Sequence, residues 1–181
     1  MDTLQNLVIR LLNDHDPKVI SAAFERMGWS KPEAQYRQYL EEQLAGTRTC
    51  FIAMVDGQFA GYVTVNWRPS YPGFSERNIP EIQDLNVLRR FRRQGIASRL
   101  LDRAEVEAAR HSGIVGIGVG LHPGYNVAQR LYGARGFVPD GRGVTYRNRY
   151  VEEGASVSLD DYLVLHFTKQ LRAEPSYSPY E

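Results

Sequence analysis

The chain has a single cysteine, Cys50. No internal disulfide can form, and one thiol gives no zinc framework. Cys50 lies in an apolar run, where a buried and inert thiol is expected. Surplus charge is lacking too. The 22 Lys and Arg against 21 Asp and Glu leave a net charge of +1, which argues against a nucleic-acid protein driven by bulk charge. No apolar stretch approaches the ~18 residues of a membrane helix. The first residues carry Asp2 and no basic-then-apolar leader pattern. The expected setting is the cytoplasm, with no nucleic acid, membrane or metal as partner. Two phosphate-binding motifs are missing as well. No lysine followed by Ser or Thr stands after a glycine, as the Walker pattern needs, and the three glycines of the dinucleotide fingerprint are absent from the basic turn.

What that turn does contain is a strand, a glycine and a helix start. Ile82, Leu85 and Val87 read as an apolar strand. From Gly95 onward, Ala97, Leu100, Leu101, Ala104 and Ala108 recur at helical spacing. Such a junction gathers backbone N–H groups and the positive end of a helix dipole into one small volume, which suits phosphate. Arg92 and Arg93 place cations beside it. The length allows one full core and nothing points to two, so one domain is expected over residues 1–172 and a loose tail over 173–181.

The turn reads Arg92-Arg93-Gln94-Gly95-Ile96-Ala97, with Ser98 next. It resembles the Arg/Gln-x-x-Gly-x-Gly/Ala pyrophosphate loop of the GNAT superfamily of acyl-coenzyme A N-acyltransferases. Upstream, Glu81-Ile82-x-x-Leu85-x-Val87 is similar to the family's central strand. Downstream, Asn126-x-Ala128-x-x-Leu131-Tyr132-x-x-x-Gly136-Phe137 is similar to its C-terminal signature. The resemblance is close over residues 79–137 and loose over most of the rest. It implies an α/β (α+β) GNAT fold, a mixed central sheet with a splayed central strand pair and helices on both faces.

The resemblance also implies acetyl-coenzyme A as co-substrate. Arg92, Arg93, Gln94, Gly95, Ile96, Ala97 and Ser98 would hold its pyrophosphate, and the backbone of Leu85, Asn86 and Val87 would pair with the pantetheine arm as another strand does. Asn126 would bond the same arm, although an asparagine there also suits a helix cap. Tyr132, placed with the cofactor residues, falls at the family's tyrosine. With a pKa near 10 it suits a general acid for the departing thiolate, the other reading being a core aromatic. Glu81 stands where some members carry a catalytic glutamate, and partial desolvation would raise its pKa toward the working range. Asp84 and a water chain are the alternatives for the base. The reaction implied is direct acetyl transfer to a small-molecule or peptide amine, with the tetrahedral intermediate held by a strand N–H. A catalytically silent acyl-coenzyme A sensor or interaction module is the competing class, and a homodimer is left open.

The remaining pattern gives the frame. Leu7 to Leu12 reads as a strand, and Asp14 to Trp29 as a helix. Ser30-Lys-Pro-Glu33 has the form of a capping box for a second helix through Tyr36, Tyr39, Leu40 and Leu44 to near Gly46. In the family these two helices cover part of the acceptor site. Thr49–Val55 and Phe59–Trp67 flank Asp56-Gly57 as a hairpin. Tyr71 and Phe74 in the next loop would line an amine site or anchor the loop. Ile82 and Leu85 are three apart where a strand face repeats every two, which predicts a β-bulge near Gln83 or Asp84. Gly116, Gly118 and Gly120 share one face of a strand over 113–121, which predicts close packing of a helix there ahead of room for cofactor. His122 reads as a loop histidine, and Gly136 as a helix stop. Val144–Tyr146 and Tyr162–Thr168 read as strands. Glu152, Glu153, Asp160 and Asp161 make a solvated acidic loop that would also suit a cationic acceptor.

Overall fold

The computed structural model describes residues 6–171, so Asp2 and the tail expected from residue 173 lie outside the described residues. In chain order the elements are β1 (Leu7–Leu11), α1 (Asp16–Glu25), α2 (Glu33–Leu44), β2 (Arg48–Val55), β3 (Gln58–Asn66), the one-turn α3 (Pro72–Ser75), β4 (Glu81–Val87), α4 (Ile96–Ala109), β5 (Ile114–Gly120), α5 (Asn126–Ala134), β6 (Val138–Tyr146), β7 (Arg149–Tyr150) and β8 (Leu163–Gln170). The fold is α/β. Two compact units make it up, one from Met1–Trp67 and Ile82–Val106, the other from Arg68–Glu81 and Glu107–Glu181. No helix among the described residues is long and apolar enough to cross a membrane.

In the first unit β1, β2, β3 and β4 are neighbours in that order. The β2–β3 turn puts Asp56 at φ 48° and Gly57 at φ 74°, the paired left-handed residues that a two-residue hairpin favours. Cys50, Ile52 and Tyr62 share one sheet face and pack with Ile20, Phe24 and Tyr36 of α1 and α2. Phe51 points to the other face, where the guanidinium of Arg103 on α4 lies 4.9 Å from its ring centre. Helices thus cover both faces of this unit. Cys50 is fully buried, and burial pushes its thiol well up, which makes it inert as expected.

Two helix boundaries differ from the sequence pattern. α1 is shorter than Asp14–Trp29, because the chain turns out through Gly28 at φ 74°. The capping box does not form. Pro32, extended at ψ 145°, is the N-cap with no side-chain bond, and Glu33 pairs with Arg37 one turn along the helix instead.

In the second unit β5 pairs β8, β8 pairs β6 and β6 pairs β7, all antiparallel. β6 begins at Val138, well before the expected Val144. Its register slips between Pro139 and Val144, where Gly141 and Gly143 both have φ near 80° (79° and 77°), and these residues break the period-two pattern. Tyr71 and Phe74 are buried, so they anchor their loop. The glycine face of β5 is filled by rings and side chains, not by the body of a helix. A Cβ on Gly116 would lie 2.4 Å from the Phe74 ring, and one on Gly120 2.4 Å from the Tyr125 ring. Gly118 faces Val164 and His166. A helix expected from glycine spacing is replaced by aromatic residues carried on single helical turns.

Candidate active site

Asp84 has φ 53°, a left-handed residue inside β4 at the place where the apolar spacing predicts a bulge. Beyond it β4 returns to regular alternation. Leu88 N–H donates to Ala60 O at 2.8 Å, and the Asn86 carbonyl lies so close to β3 that a Cβ on Gly61 would be 2.4 Å from it. Asn86 and Leu88 therefore face β3, and alternation turns the backbone of Leu85 and Val87 to the opposite side. The Val87 carbonyl, so directed, accepts from Arg92 Nε at 3.0 Å. Gln83, Asp84, Leu85 and Asn86 are half-buried, whereas Ile82 and Val87 on either side of them are buried.

A short 3-10 turn over Arg89–Phe91 leads from this strand into the loop. Arg93 and Gly95 both take positive φ, 59° and 79°. α4 begins at Ile96, and its first bond runs from Arg99 N–H to Gly95 O at 3.1 Å, so the amides of Ile96 and Ala97 precede the helical ladder. A Cβ added to Gly95 would meet nothing within 4 Å. Arg92, Arg93, Gln94 and Gly95 are exposed, Ala97 and Ser98 half-buried and Ile96 buried. Arg92 braces the turn through Val87 and lies 5.9 Å from the Trp29 ring centre, while Gln94 donates to Arg90 O at 3.2 Å. An open turn with amides, a dipole terminus and exposed guanidinium groups fits a diphosphate.

On the α2 face of β4 lies a polar cluster of which sequence reasoning had singled out only Asp84 and Asn86 as site residues. The Tyr39 hydroxyl donates a short bond to Asp84 Oδ2, and Gln35 Nε2 donates to the same oxygen at 3.3 Å. Tyr36 and Tyr62 hydroxyls lie 3.4 Å apart. Lys31 Nζ donates to the Tyr62 hydroxyl at 3.1 Å, and Asn86 Nδ2 lies 3.5 Å from it. Burial first, and the Asp84 charge second, push the Tyr39 and Tyr62 phenols far up, so both stay protonated. The only signal in the sequence was the Tyr36/Tyr39 pair, and its spacing says no more than amphipathic helix.

Within the second unit, α5 starts at Asn126 with Tyr125 as its N-cap and no side-chain cap bond. Asn126 is therefore not the cap; it is exposed at the first helical position. The helix ends in a Schellman motif. Phe137 N–H reaches Tyr132 O and Gly136 N–H reaches Gly133 O, each at 3.0 Å, with Gly136 at φ 84°. The motif brings the Tyr132 and Phe137 rings to 6.0 Å and fixes Tyr132 at 6% exposure. Burial pushes its hydroxyl up to about 12. Glu81, at the head of β4, is 7% exposed. His122 accepts from Gly124 N–H at 3.1 Å and pairs with Asp161 at 2.8 Å, so it organises its own loop. Asp160 accepts from Tyr146 at 2.9 Å, while Glu152 and Glu153 are exposed. Among the described residues no group of three or more His, Cys, Asp or Glu side chains could hold a metal ion.

The strand, loop and helix just described have a family. The model of the acetyltransferase (GNAT) family matches residues 17–137, and the chain belongs to that family. A stretch of 80 residues is 41% identical to GCN5-related N-acetyltransferase 6, chloroplastic, from Arabidopsis thaliana. It covers 44% of this chain and 24% of that relative, so the chain spans about a quarter of the relative's length. Among solved structures, a GNAT-family protein from Desulfovibrio desulfuricans aligns at a TM-score of 0.69 and 14% identity over 92% of this chain and 100% of that one. The yncA protein of Salmonella typhimurium, solved with its cofactor acetyl-CoA, aligns at 0.66 and 19% over 96% and 98%. At these identities the likeness shows the GNAT fold.

Proposed function

We propose that the chain is an acetyl-coenzyme A-dependent N-acetyltransferase that moves acetyl directly to a primary amine of a small molecule or peptide. The observation that carries this reading is the Gly95 loop, left-handed, open on its glycine side and followed at once by the start of α4. Membership of the acetyltransferase family supports it.

Bound acetyl-coenzyme A supplies an activated acetyl thioester. Arg92, Arg93 and the amides from Gln94 to Ser98 are the proposed holders of its diphosphate, with the Leu85–Val87 backbone and Asn126 assigned to the pantetheine arm. An amine of pKa ~10.4 is almost wholly ammonium at neutral pH, so a proton must leave it before attack. Glu81 is proposed as its acceptor. Tyr132, protonated up to about pH 12, has a proton to give to a thiolate at neutral pH.

Calorimetric titration with coenzyme A, followed by thiol release across an amine panel, tests the reading. Gly95→Trp should abolish coenzyme A binding, and retained affinity would count against the loop. Tyr132→Phe should lower kcat by about 10²-fold with cofactor Kd unchanged within twofold; an unchanged kcat removes Tyr132 as the acid. Tight coenzyme A binding with no thiol release on any amine would instead favour the silent sensor or interaction module.

A further inference from the structure

We infer that the first unit carries a second ligand site, a cleft that takes an organic anion with a carboxylate or phosphate head on an apolar body. The cavity measures about 810 Å³, a size that holds a small organic ligand. It lies where the end of α1, the β2–β3 turn and the turn after β4 meet, and every residue lining it belongs to the first unit. None of the residues assigned above to coenzyme A lines it.

The floor is apolar and already built. Ala23, Phe59 and Leu88 are buried members of the core between α1 and the sheet, with Met27 packed against them. Val19, one turn back along α1, lines the same cleft and stays 46% exposed. Gly57 keeps the mouth clear, since a Cβ there would meet nothing within 4 Å.

The charge around this floor has one sign. Arg26, Arg89 and Arg90 line the cleft and are exposed. None of their guanidinium groups makes an ion pair with a described residue. By contrast, Arg10, Arg37 and Arg48 of the same unit each pair with a carboxylate. Arg89 and Arg90 lie against rings instead, 6.0 Å from the Trp29 centre and 4.7 Å from the Phe91 centre. A stacked guanidinium keeps its N–H edge for an oxyanion. Three unmatched cations repel one another, and an anion with an apolar body offsets that repulsion while covering the floor.

The bland alternative is a solvated basic rim over an idle dip. Octanoate and hexyl phosphate, titrated calorimetrically with and without saturating coenzyme A, decide between them. Octanol supplies a body without charge, and inorganic phosphate a charge without body. The expected result is saturable binding of at least one of the two anions, about tenfold tighter than octanol or inorganic phosphate and changed less than about twofold by coenzyme A. The tighter of the two heads tells a carboxylate ligand from a phosphate one. Arg26→Gln removes one cation, and Val19→Glu sets a negative group at an exposed helix position that tolerates it. Each should weaken binding about tenfold, with the circular dichroism of the fold retained. The inference is overturned if neither anion binds, if inorganic phosphate binds as tightly, or if both variants bind within about twofold of wild type. Displacement by coenzyme A would also overturn it, by making the cleft part of the cofactor site. So would an acidic peptide, acetyl-Glu-Leu-Glu-amide, binding where both small anions fail, since the cleft would then serve a protein partner.

Discussion

Tyr39–Asp84 in the first unit and Tyr71–Asp140 in the second are the same chemical pair in opposite circumstances. In each a phenol donates to a carboxylate, at 2.6 Å for Tyr71, and burial pushes the phenol up. The Tyr71 ring then lies flat on His166, with centroids 3.6 Å apart, and meets Phe74 edge-on at 4.8 Å. Phe74 in turn fills the space over Gly116. Nothing is left for a ligand. Around Asp84 the backbone is strained, the strand half-exposed and one carboxylate oxygen unused by the described residues. The chemistry of the pair is therefore common to both; packing decides whether its surroundings are closed by rings or left partly exposed.

The sharpest way to break this contrast is to crowd the filled region. Gly116→Val should cost about 3 kcal/mol, because its Cβ has the Phe74 ring at 2.4 Å and the side chain has nowhere to go. Gly95→Ala, in open space, should cost only about 1 kcal/mol from its backbone angle. Equal urea-unfolding losses would mean that the second unit is no tighter than the loop.

A second difference is visible to protons. His166 is 2% exposed, its Nδ1 has no partner among the described residues, and burial holds its pKa at about 4, below the ordinary 6.5. The unfolded chain takes up this proton first, so stability should fall as pH drops from about 6.5 toward 4, by up to about 3 kcal/mol. His166→Phe keeps a ring against Tyr71 and should flatten that slope in chemical denaturation series; an unaltered slope would assign the loss to other groups.

The open region should be milder. Tyr39→Phe removes one of two donors to a half-exposed carboxylate and should cost about 1 kcal/mol, read as a shift in the urea midpoint. Smallest of all, Asp84→Gly should stay within about 1 kcal/mol of wild type, since relief at φ 53° offsets much of the loss of the Tyr39 and Gln35 bonds. A larger loss would make Asp84 a structural pillar and bring the two pairs back to one kind.

Much of the first unit was legible because its signals are local. The three-residue step from Ile82 to Leu85 announced the left-handed break at Asp84, Asp56-Gly57 announced the hairpin, and Gly95 announced the loop before α4. Signals failed where glycine and proline serve packing. Pro139, Gly141 and Gly143 hid the first half of β6, and the glycines of β5 suggested a helix where Phe74 and Tyr125 lie. Ser30 and Glu33 had the letters of a cap, yet Pro32 set the start of α2 two residues too late for it.

By itself the sequence determined the backbone course from β4 through the Gly95 loop into α4 and the stop at Gly136, since each depends on neighbours a few bonds away. Only the tertiary structure decided what surrounds Asp84. Tyr39 lies 45 residues from it in the chain, and no spacing encodes their meeting. It is chosen by how α2 settles on β2, where the apolar surface buried far outweighs any single hydrogen bond, so the polar partners follow from the packing.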